Sequence, residues 1–288
     1  MGNCCPAAAS VSTDRPVTLP AWTMEIELQA GGGILSRYAA FNAFSAIVIA
    51  LVFALIPSAP GFAQQGTSAT PPPQVLIPFT ATYRAEFSGF GVTAERKLNG
   101  GPSSWRLDFS AHSMFAKIEE YSRFAQQGLR LVPQHYDYQK SGLGKDRHTA
   151  LSFEDNATRV INVYDKSLSI DNAPGNIQDK ISYQLQLAID VANGKSPLKY
   201  QVADGKKIRE YEFEITGSEK LKTPMGLIET IKVQRVRGED AERVTNIWFA
   251  PEWNYALVKL MQQEDNGKSY QITLTKLSID GKEVSAKK

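Results

Sequence analysis

Residues 211–260 read YEFEITGSEK LKTPMGLIET IKVQRVRGED AERVTNIWFA PEWNYALVKL, a run of alternating segments and turns that points to β-structure. Tyr211, Phe213 and Ile215 alternate with Glu210, Glu212 and Glu214, the period of a half-buried strand. Turn residues punctuate the rest of the stretch: Gly217, then Pro224-Met225-Gly226, then Gly238-Glu239-Asp240, then Pro251-Glu252-Trp253-Asn254. Within residues 227–237 the phase slips. Ile231 and Val233 share one parity and Val236 takes the other, which predicts a bulge in that strand. Residues 244–249 and 255–261 are apolar on both parities around Trp248-Phe249 and Leu257-Val258, as central strands are.

Outward from this stretch the pattern continues. Asp265-Asn266-Gly267 is a hairpin turn, and residues 269–279 alternate with Tyr270, Ile272 and Leu274 on one face. Towards the N-terminus, residues 198–202 and 208–215 flank Asp204-Gly205 as another hairpin. Residues 79–87 alternate without a fault, and a weaker strand over 92–98 is closed by Asn99-Gly100-Gly101-Pro102. Strands are predicted over 105–112, 116–126 and 128–138, with Pro133 marking an edge or a bulge. Residues 140–147 (KSGLGKDR) read as a polar loop, and 149–153 and 159–164 flank the turn Glu154-Asp155-Asn156-Ala157.

One segment departs from the period of two. Over residues 177–191, Ile177, Ile181, Leu185 and Ile189 recur every fourth residue, the stripe of an amphipathic helix. Asn176 is expected to cap its start and Asn193-Gly194 to end it. Alternation at Ile181, Tyr183, Leu185 and Leu187 keeps a strand open as the alternative. The whole predicts an all-β, mainly antiparallel fold: a strongly curled sheet, barrel-like or sandwich, with one short helix near 177–191. A single domain over 75–282 and a tail over 283–288 are expected.

The first quarter of the chain differs in character. Residues 43–56 (AFSAIVIALVFALI) follow Arg37 and precede Pro57, with Gly61 and Ala63 small at the positions a signal peptidase reads. This is the pattern of a secretory signal peptide cleaved after Ala63. The rival reading is a retained membrane anchor, for which the strictly apolar run is short of about 20 residues, although extension back to Tyr38 brings it close. Residues 1–63 then form a signal peptide with an over-long leader, and Met24 offers a more ordinary start. Pro6 stands where myristoylation wants Ser or Thr, and no cysteine follows the apolar run to suit a lipoprotein. Residues 64–74 (QQGTSATPPPQ) read as a flexible linker.

Of 32 basic and 30 acidic residues, cleavage removes Arg15, Arg37, Asp14, Glu25 and Glu27, leaving 30 and 27. That balance does not point to nucleic acid. Both cysteines, Cys4 and Cys5, fall in the removed part, so the exported chain depends on its core without disulfides.

Catalytic chemistry is not written plainly. The three histidines are His112, His135 and His148. His135 and Asp137 can share a strand face, but no third ligand lies at metal spacing. No serine sits in G-x-S-x-G. Ser141-Gly142-Leu143-Gly144-Lys145 lacks the phosphate-loop spacing. Asn156-Ala157-Thr158 matches a glycosylation sequon inside a turn that favours Asn anyway. The Glu210, Glu212 and Glu214 row has a spacing compatible with acid–base work, yet pairing with Lys220, Lys222 or Lys232 across a solvated face explains it. Tyr83, Phe87, Trp105, Phe109, Tyr211, Phe213, Trp248, Phe249 and Trp253 fall mostly on apolar faces. Such aromatics either fill a core or line a cavity for an apolar ligand. No catalytic residue, metal site or cofactor is therefore assigned.

Five pieces together carry a resemblance. They are Ser182-Tyr183-Gln184-Leu185-Gln186-Leu187, Tyr211-Glu212-Phe213 with Gly217 and Glu219, Thr223-Pro224-Met225-Gly226, Trp248-Phe249-Ala250-Pro251-Glu252, and Leu260-Met261-Gln262. Over roughly residues 78–279 the chain resembles the bacterial domain-of-unknown-function family 3108 (DUF 3108). The resemblance implies an exported, usually periplasmic, β-rich protein of Gram-negative bacteria, and it supplies no catalytic residues. The expectation is a non-enzymatic, envelope-associated binding or structural module. A carrier of a lipid or other hydrophobic ligand inside the curled sheet is the alternative, and a hydrolase with a spatially assembled site is a third reading. Contact with a membrane is expected only through an uncleaved leader.

Overall fold

The computed structural model describes residues 76–286, apart from 88–89, 102, 115, 143–144, 206, 238–242 and 265–268. Ala63, the leader and the linker lie outside the described residues, as do the turns expected at 238–240 and 265–267. Among the described residues, fourteen strands and one α-helix follow in chain order. The strands are β1 (Phe79–Phe87), β2 (Phe90–Gly101), β3 (Ser104–His112), β4 (Ala116–Gln127), β5 (Arg130–Gly142), β6 (Arg147–Glu154) and β7 (Arg159–Asn162). After helix α1 (Ser182–Ala192) come β8 (Leu198–Ala203), β9 (Ile208–Thr223), β10 (Gly226–Val236), β11 (Arg243–Ala250), β12 (Ala256–Glu264), β13 (Ser269–Ile279) and β14 (Lys282–Val284).

All fourteen belong to one sheet. Its order is β7-β6-β5-β4-β3-β2-β1-β13-β12-β11-β10-β9-β8, with β14 paired to β13. Every neighbouring pair of strands is antiparallel, and each is consecutive in the chain except β1 with β13. The sheet is a meander whose first and thirteenth strands have zipped together, so its free ends are β7 and β8. This is a barrel-like sheet that closes everywhere but at that seam. β14 carries regular pairing to Val284, two residues past the expected end of the domain.

Four bulges help the sheet to curl. Between Thr82 and Tyr83 the β13 register skips Thr275, and opposite Arg123 and Phe124 the β5 register skips Gln134. The second lies beside Pro133, whose missing N–H cannot join a regular ladder. Opposite Trp248 and Phe249, β12 skips Val258. That bulge explains why Leu257 and Val258 are both buried despite adjacent parity. The fourth corrects two expectations. Gly217 does not turn the chain; it lies within β9, where Lys232 pairs with Gly217 and Val233 with Ile215. The extra residue is therefore Thr216 on β9, not a residue of β10. Gly217 has φ +142°, a backbone region that side-chain-bearing residues avoid. Beyond the kink, Ile215 is 48% exposed instead of joining Tyr211 and Phe213 in the core.

The helix sits inside the curl. Its first turn is Ser182, later than residue 177, because Gln178 is held in extended form: its N–H donates to Gln201 O at 2.8 Å and its carbonyl accepts from Ala203 N at 2.8 Å. The cap is Asp179, not Asn176. Asp179 Oδ1 accepts from the N–H groups of Ile181 (3.0 Å) and Ser182 (2.7 Å), and Ser182 Oγ accepts in return from Asp179 N at 2.9 Å. That reciprocal arrangement satisfies orphan donors of the first turn. At the other end, Asn193 Nδ2 donates to Ile189 O, closing the helix at the expected Asn193-Gly194. Ile177, Ile181 and Ile189 of the stripe are buried but Leu185 is only half-buried, while Tyr183, Leu187 and Val191 off the stripe are buried too. A helix wrapped by a sheet buries more than one face.

Polar side chains tie it to the barrel wall. Gln186 Oε1 accepts from Leu131 N at 2.7 Å, and Gln186 Nε2 donates to Leu129 O and Asp190 Oδ1, both at 2.9 Å. Gln178 Nε2 donates to Leu131 O. Asp190 Oδ2 accepts from Tyr200 OH at 2.8 Å and Lys195 Nζ at 2.9 Å. These bonds pair polar atoms whose burial alone costs a few kcal/mol each, on the order of 1–3.

Candidate ligand site inside the curled sheet

The inner face of β1 to β6 is built by alternation, and most inward positions are apolar. Two charged residues break that rule. On β2 the inward series is Val92, Ala94, Arg96 and Leu98; on β4 it is Ala116, Ile118, Glu120, Ser122 and Phe124. Strand register lines Arg96, Phe109, Glu120 and Tyr138 into one inner row across β2, β3, β4 and β5. Arg96 is 4% exposed and Glu120 2% exposed.

Glu120 Oε1 accepts from Tyr136 OH at 2.6 Å. Burial pushes the Glu120 carboxyl up to about 7, against the opposing pull of the Tyr136 hydrogen bond and of Lys180. Asp179 is also pushed up by burial, opposed by its hydrogen bonds from Ser122, Ser182 and Ile181. Ser122 Oγ donates to Asp179 Oδ2 at 2.5 Å. Burial pushes the Tyr83 hydroxyl up to about 12, opposed by the neighbouring Arg96 guanidinium, and Tyr83 OH donates to Leu257 O at 3.0 Å. Three buried polar atoms in the row have no hydrogen-bond partner: Arg96 Nη2, Glu120 Oε2 and Tyr138 OH.

Between α1 and the sheet lies a cavity of about 40 Å³. Its walls include Tyr83, Leu98, Leu185, Ile189, Phe249, Trp253 and Leu257, Arg96 and Gln184 supply polar atoms, and the half-buried Ile77 and Tyr255 line its more exposed side. The volume suits a group of a few heavy atoms, because one water needs about 10–15 Å³ by the same measure.

The residues singled out from sequence mostly lie elsewhere. His112, His135 and His148 are all on the outer face, opposite Lys117, Ser152 and Gln139 of the adjacent strands. His135 stacks on Tyr121, with ring centroids 5.5 Å apart, and desolvation and Arg123 lower its pKa. Asp137 is engaged by His148 instead: His148 Nε2 lies 3.0 Å from Asp137 Oδ2 and 2.9 Å from Tyr164 OH. The partners of His148 are a carboxylate and a phenol, not a serine or cysteine nucleophile. Among the described residues, no group of three or more His, Cys, Asp or Glu side chains could hold a metal ion.

Residues 140–142 extend β5, so the loop expected at 140–147 is shorter, and Lys140 points inward and is buried. Asn156 has φ +60° in the turn between β6 and β7, a conformation Asn tolerates. Glu212 pairs with Lys199 at 3.0 Å and Glu210 with Gln201 at 2.8 Å, while Lys220 pairs with Glu229. Glu212 is therefore neutralised from β8 and Glu210 is hydrogen-bonded from it, neither by the lysines expected. Trp248 lies on the outer face yet is buried, its ring flanked by Lys232 and Lys259 and its Nε1 donating to Glu219. Tyr83, Trp105, Phe109, Tyr211, Phe213, Phe249 and Trp253 are buried too. Sequence reasoning did not single out Arg96 or Glu120; a charged residue on the inward parity of a strand was the available signal.

No helix among the described residues is long and apolar enough to cross a membrane. No curated protein matches the chain. Among solved structures it is similar to the beta-barrel-like protein of domain of unknown function DUF1849 from Brucella abortus, at 12% identity and a TM-score of 0.48, over 71% of this chain and 98% of that one. It is similar at 10% identity and a TM-score of 0.29 to a chain of the Pseudomonas aeruginosa MucA/MucB complex, over 71% of this chain and 52% of that one. A Parabacteroides distasonis protein described as a candidate lipoprotein aligns at 14% identity and a TM-score of 0.28, over 72% of this chain and 97% of that one. At these scores the likenesses carry no argument about function. Residues 79–275 match the profile of the family described as protein of unknown function DUF3108, and the chain belongs to that family.

Proposed function

We propose that the protein is an exported, non-enzymatic binding module of the bacterial envelope, with its interior cavity as the binding site. The observation that carries this reading is the cavity between α1 and the sheet, apolar-walled with Arg96 among its lining residues. A binding site of that make-up needs few polar groups, placed to orient a ligand. Export, and with it a periplasmic location, rests on the apolar run at 43–56 and the small residues up to Ala63. The non-enzymatic part rests on where the ionisable groups are used. Asp179 and Asp190 hold α1, and the histidines face outward without a nucleophile.

A lipid carrier is less well supported. Pockets for drug-sized ligands run to about 300–1,000 Å³, far above the 40 Å³ left beside α1. An acyl chain cannot lie wholly inside while α1 occupies the interior.

Osmotic-shock fractionation of a bacterium expressing the full chain tests export, with the N-terminus of the released protein read by mass spectrometry. A product beginning at Gln64 in the shock fluid is expected. Retention in the cytoplasm overturns the localisation, and turnover of ester or peptide substrates by purified protein overturns the non-enzymatic reading. Native mass spectrometry of the same material tests binding through a co-purifying mass.

A further inference from the structure

We propose that Arg96 anchors a carboxylate in the cavity beside α1, and that the ligand is an aliphatic acid whose carbon body packs on Leu98, Leu185, Ile189 and Phe249. The inference rests on the binding reading above and names the chemistry of its ligand. A guanidinium removed from water is costly unless an anion or good acceptors compensate it. Arg96 is 4% exposed, and its Nη2 has no hydrogen-bond partner. Glu120, the carboxylate in the same inner row, attracts Arg96 but gives Oε1 to Tyr136 and makes no hydrogen bond through Oε2, so it does not satisfy Nη2. Tyr83 is hydrogen-bonded to Arg96 and donates its own hydroxyl to Leu257 O, which leaves Nη2 as the unanswered donor of the guanidinium.

The cavity and the unpartnered nitrogen are independent observations that meet at one side chain. Arg96 lines the cavity, and the walls around it are largely hydrocarbon. Glu120 and Tyr83 already attract the guanidinium, so what a ligand can add is an acceptor for Nη2; a cationic ligand offers none and is repelled. A carboxylate accepts in the plane that guanidinium donors favour. About 40 Å³ is room for roughly three water-sized groups, so it holds the carboxylate with the carbon beside it. Ile77 and Tyr255, half-buried at the rim, mark where a longer tail leaves. The same carboxylate chemistry therefore comes from a free short acid or from the head of an acyl chain.

Isothermal titration of the purified protein with butyrate, decanoate and butyramide separates these sources. Saturable binding of an acid and none of butyramide is expected. Butyrate alone binding identifies a short-acid site; decanoate binding tighter identifies an acyl tail through the rim. Arg96→Met is expected to weaken acid binding at least tenfold, with an unchanged circular dichroism spectrum as the check on folding. Should Arg96→Met fail to fold, Leu185→Trp fills the cavity from the helix and is expected to abolish binding. Equal binding of butyramide and butyrate, no acid binding by wild type, or acid binding that survives either folded variant overturns the proposal. An exported protein that carries a neutral or cationic mass from the cell and ignores acids sinks the carboxylate inference alone; one that neither carries a mass nor binds an acid sinks the binding reading as well.

Discussion

Ser122 on β4 donates its hydroxyl to Asp179 Oδ2 at 2.5 Å, so the residue that caps α1 is held from the inner wall of the sheet 57 residues away in sequence. Asp179 is fully buried, and its Oδ1 takes the Ile181 and Ser182 N–H groups. The helix start and the barrel wall are thus one hydrogen-bonded unit.

Asp179→Ala is expected to destabilise the protein by about 2–4 kcal/mol, combining a lost cap with buried N–H groups left without an acceptor. Ser122→Ala removes one donor and is expected to cost about 1 kcal/mol. Because both act through one carboxylate, the double variant should be no less stable than Asp179→Ala by more than a few tenths, roughly 0.5 kcal/mol. Urea unfolding followed by tryptophan fluorescence measures all three. Full additivity of the two losses counts against the shared unit.

Glu120 predicts a pH signature. Its folded carboxyl is pushed up to about 7 from 4.5, with burial the largest cause. Between those values the native state holds a proton that the unfolded chain releases, so this group makes stability fall as pH rises through the window. Below 4.5 the cost is absent, and above 7 it is complete, at about 3 kcal/mol. Glu120→Gln keeps an acceptor for Tyr136 OH and never ionises. It should be more stable than wild type at pH 8 by up to about 3 kcal/mol, with the advantage gone at pH 4.5. An advantage independent of pH would falsify burial of the charge as its cause.

Much of the sheet is legible in the sequence because one face is buried, and alternation is then forced. Residues 79–87 carry that pattern without a fault, and Ala81, Tyr83 and Ala85 are each 1% exposed. Where the pattern misleads, the reasons are local. Gly217 reads as a turn because Gly marks turns and bulges alike, and only the pairing with Lys232 distinguishes them. The start of α1 is displaced because Gln178 pairs with β8, a contact its neighbours in sequence do not announce. The candidate site is hidden for a related reason. Arg96 is an ordinary surface residue until the register of β2 places it inward between Ala94 and Leu98. The 40 Å³ cavity depends on how far α1 enters the curl, which side-chain periodicity does not encode.

The β2–β3 hairpin separates two adjacent glycines. Gly100 has φ +124°, and a Cβ there would run into Ser104 O and the Trp105 backbone. Gly101 has nothing within 4 Å of the same added atom. Gly100→Ala is therefore expected to cost at least about 2 kcal/mol through strain and overlap, and Gly101→Ala to change stability by less than about 0.5 kcal/mol. Thermal melts of the two variants side by side check this. Similar shifts in both would show that the turn adjusts, contrary to the geometry.

The seam between β7 and β8 is where the barrel is open, and its two edges are answered differently. On β7, Val160 exchanges backbone bonds with Ile170 (2.9 and 2.7 Å); on β8, Gln178 covers the edge at Val202. Unanswered edges invite pairing with other chains, so these loops act as covers. The Asn162 side chain crosses the seam: Asn162 Nδ2 donates to Gly205 O at 2.8 Å, while its Oδ1 accepts from Tyr164 N and Asp165 N. Asn162→Leu keeps the volume and removes the crossing bond and both turn contacts. It leaves the Gly205 carbonyl and two N–H groups to find water, at about 2–3 kcal/mol. Hydrogen exchange by mass spectrometry should show faster exchange in β7 and β8 and in the turn over 163–168, while β1, β12 and β13 on the far side keep their protection. Loosening spread evenly through all strands would mean that the seam is not a local unit, and that the barrel opens as a whole.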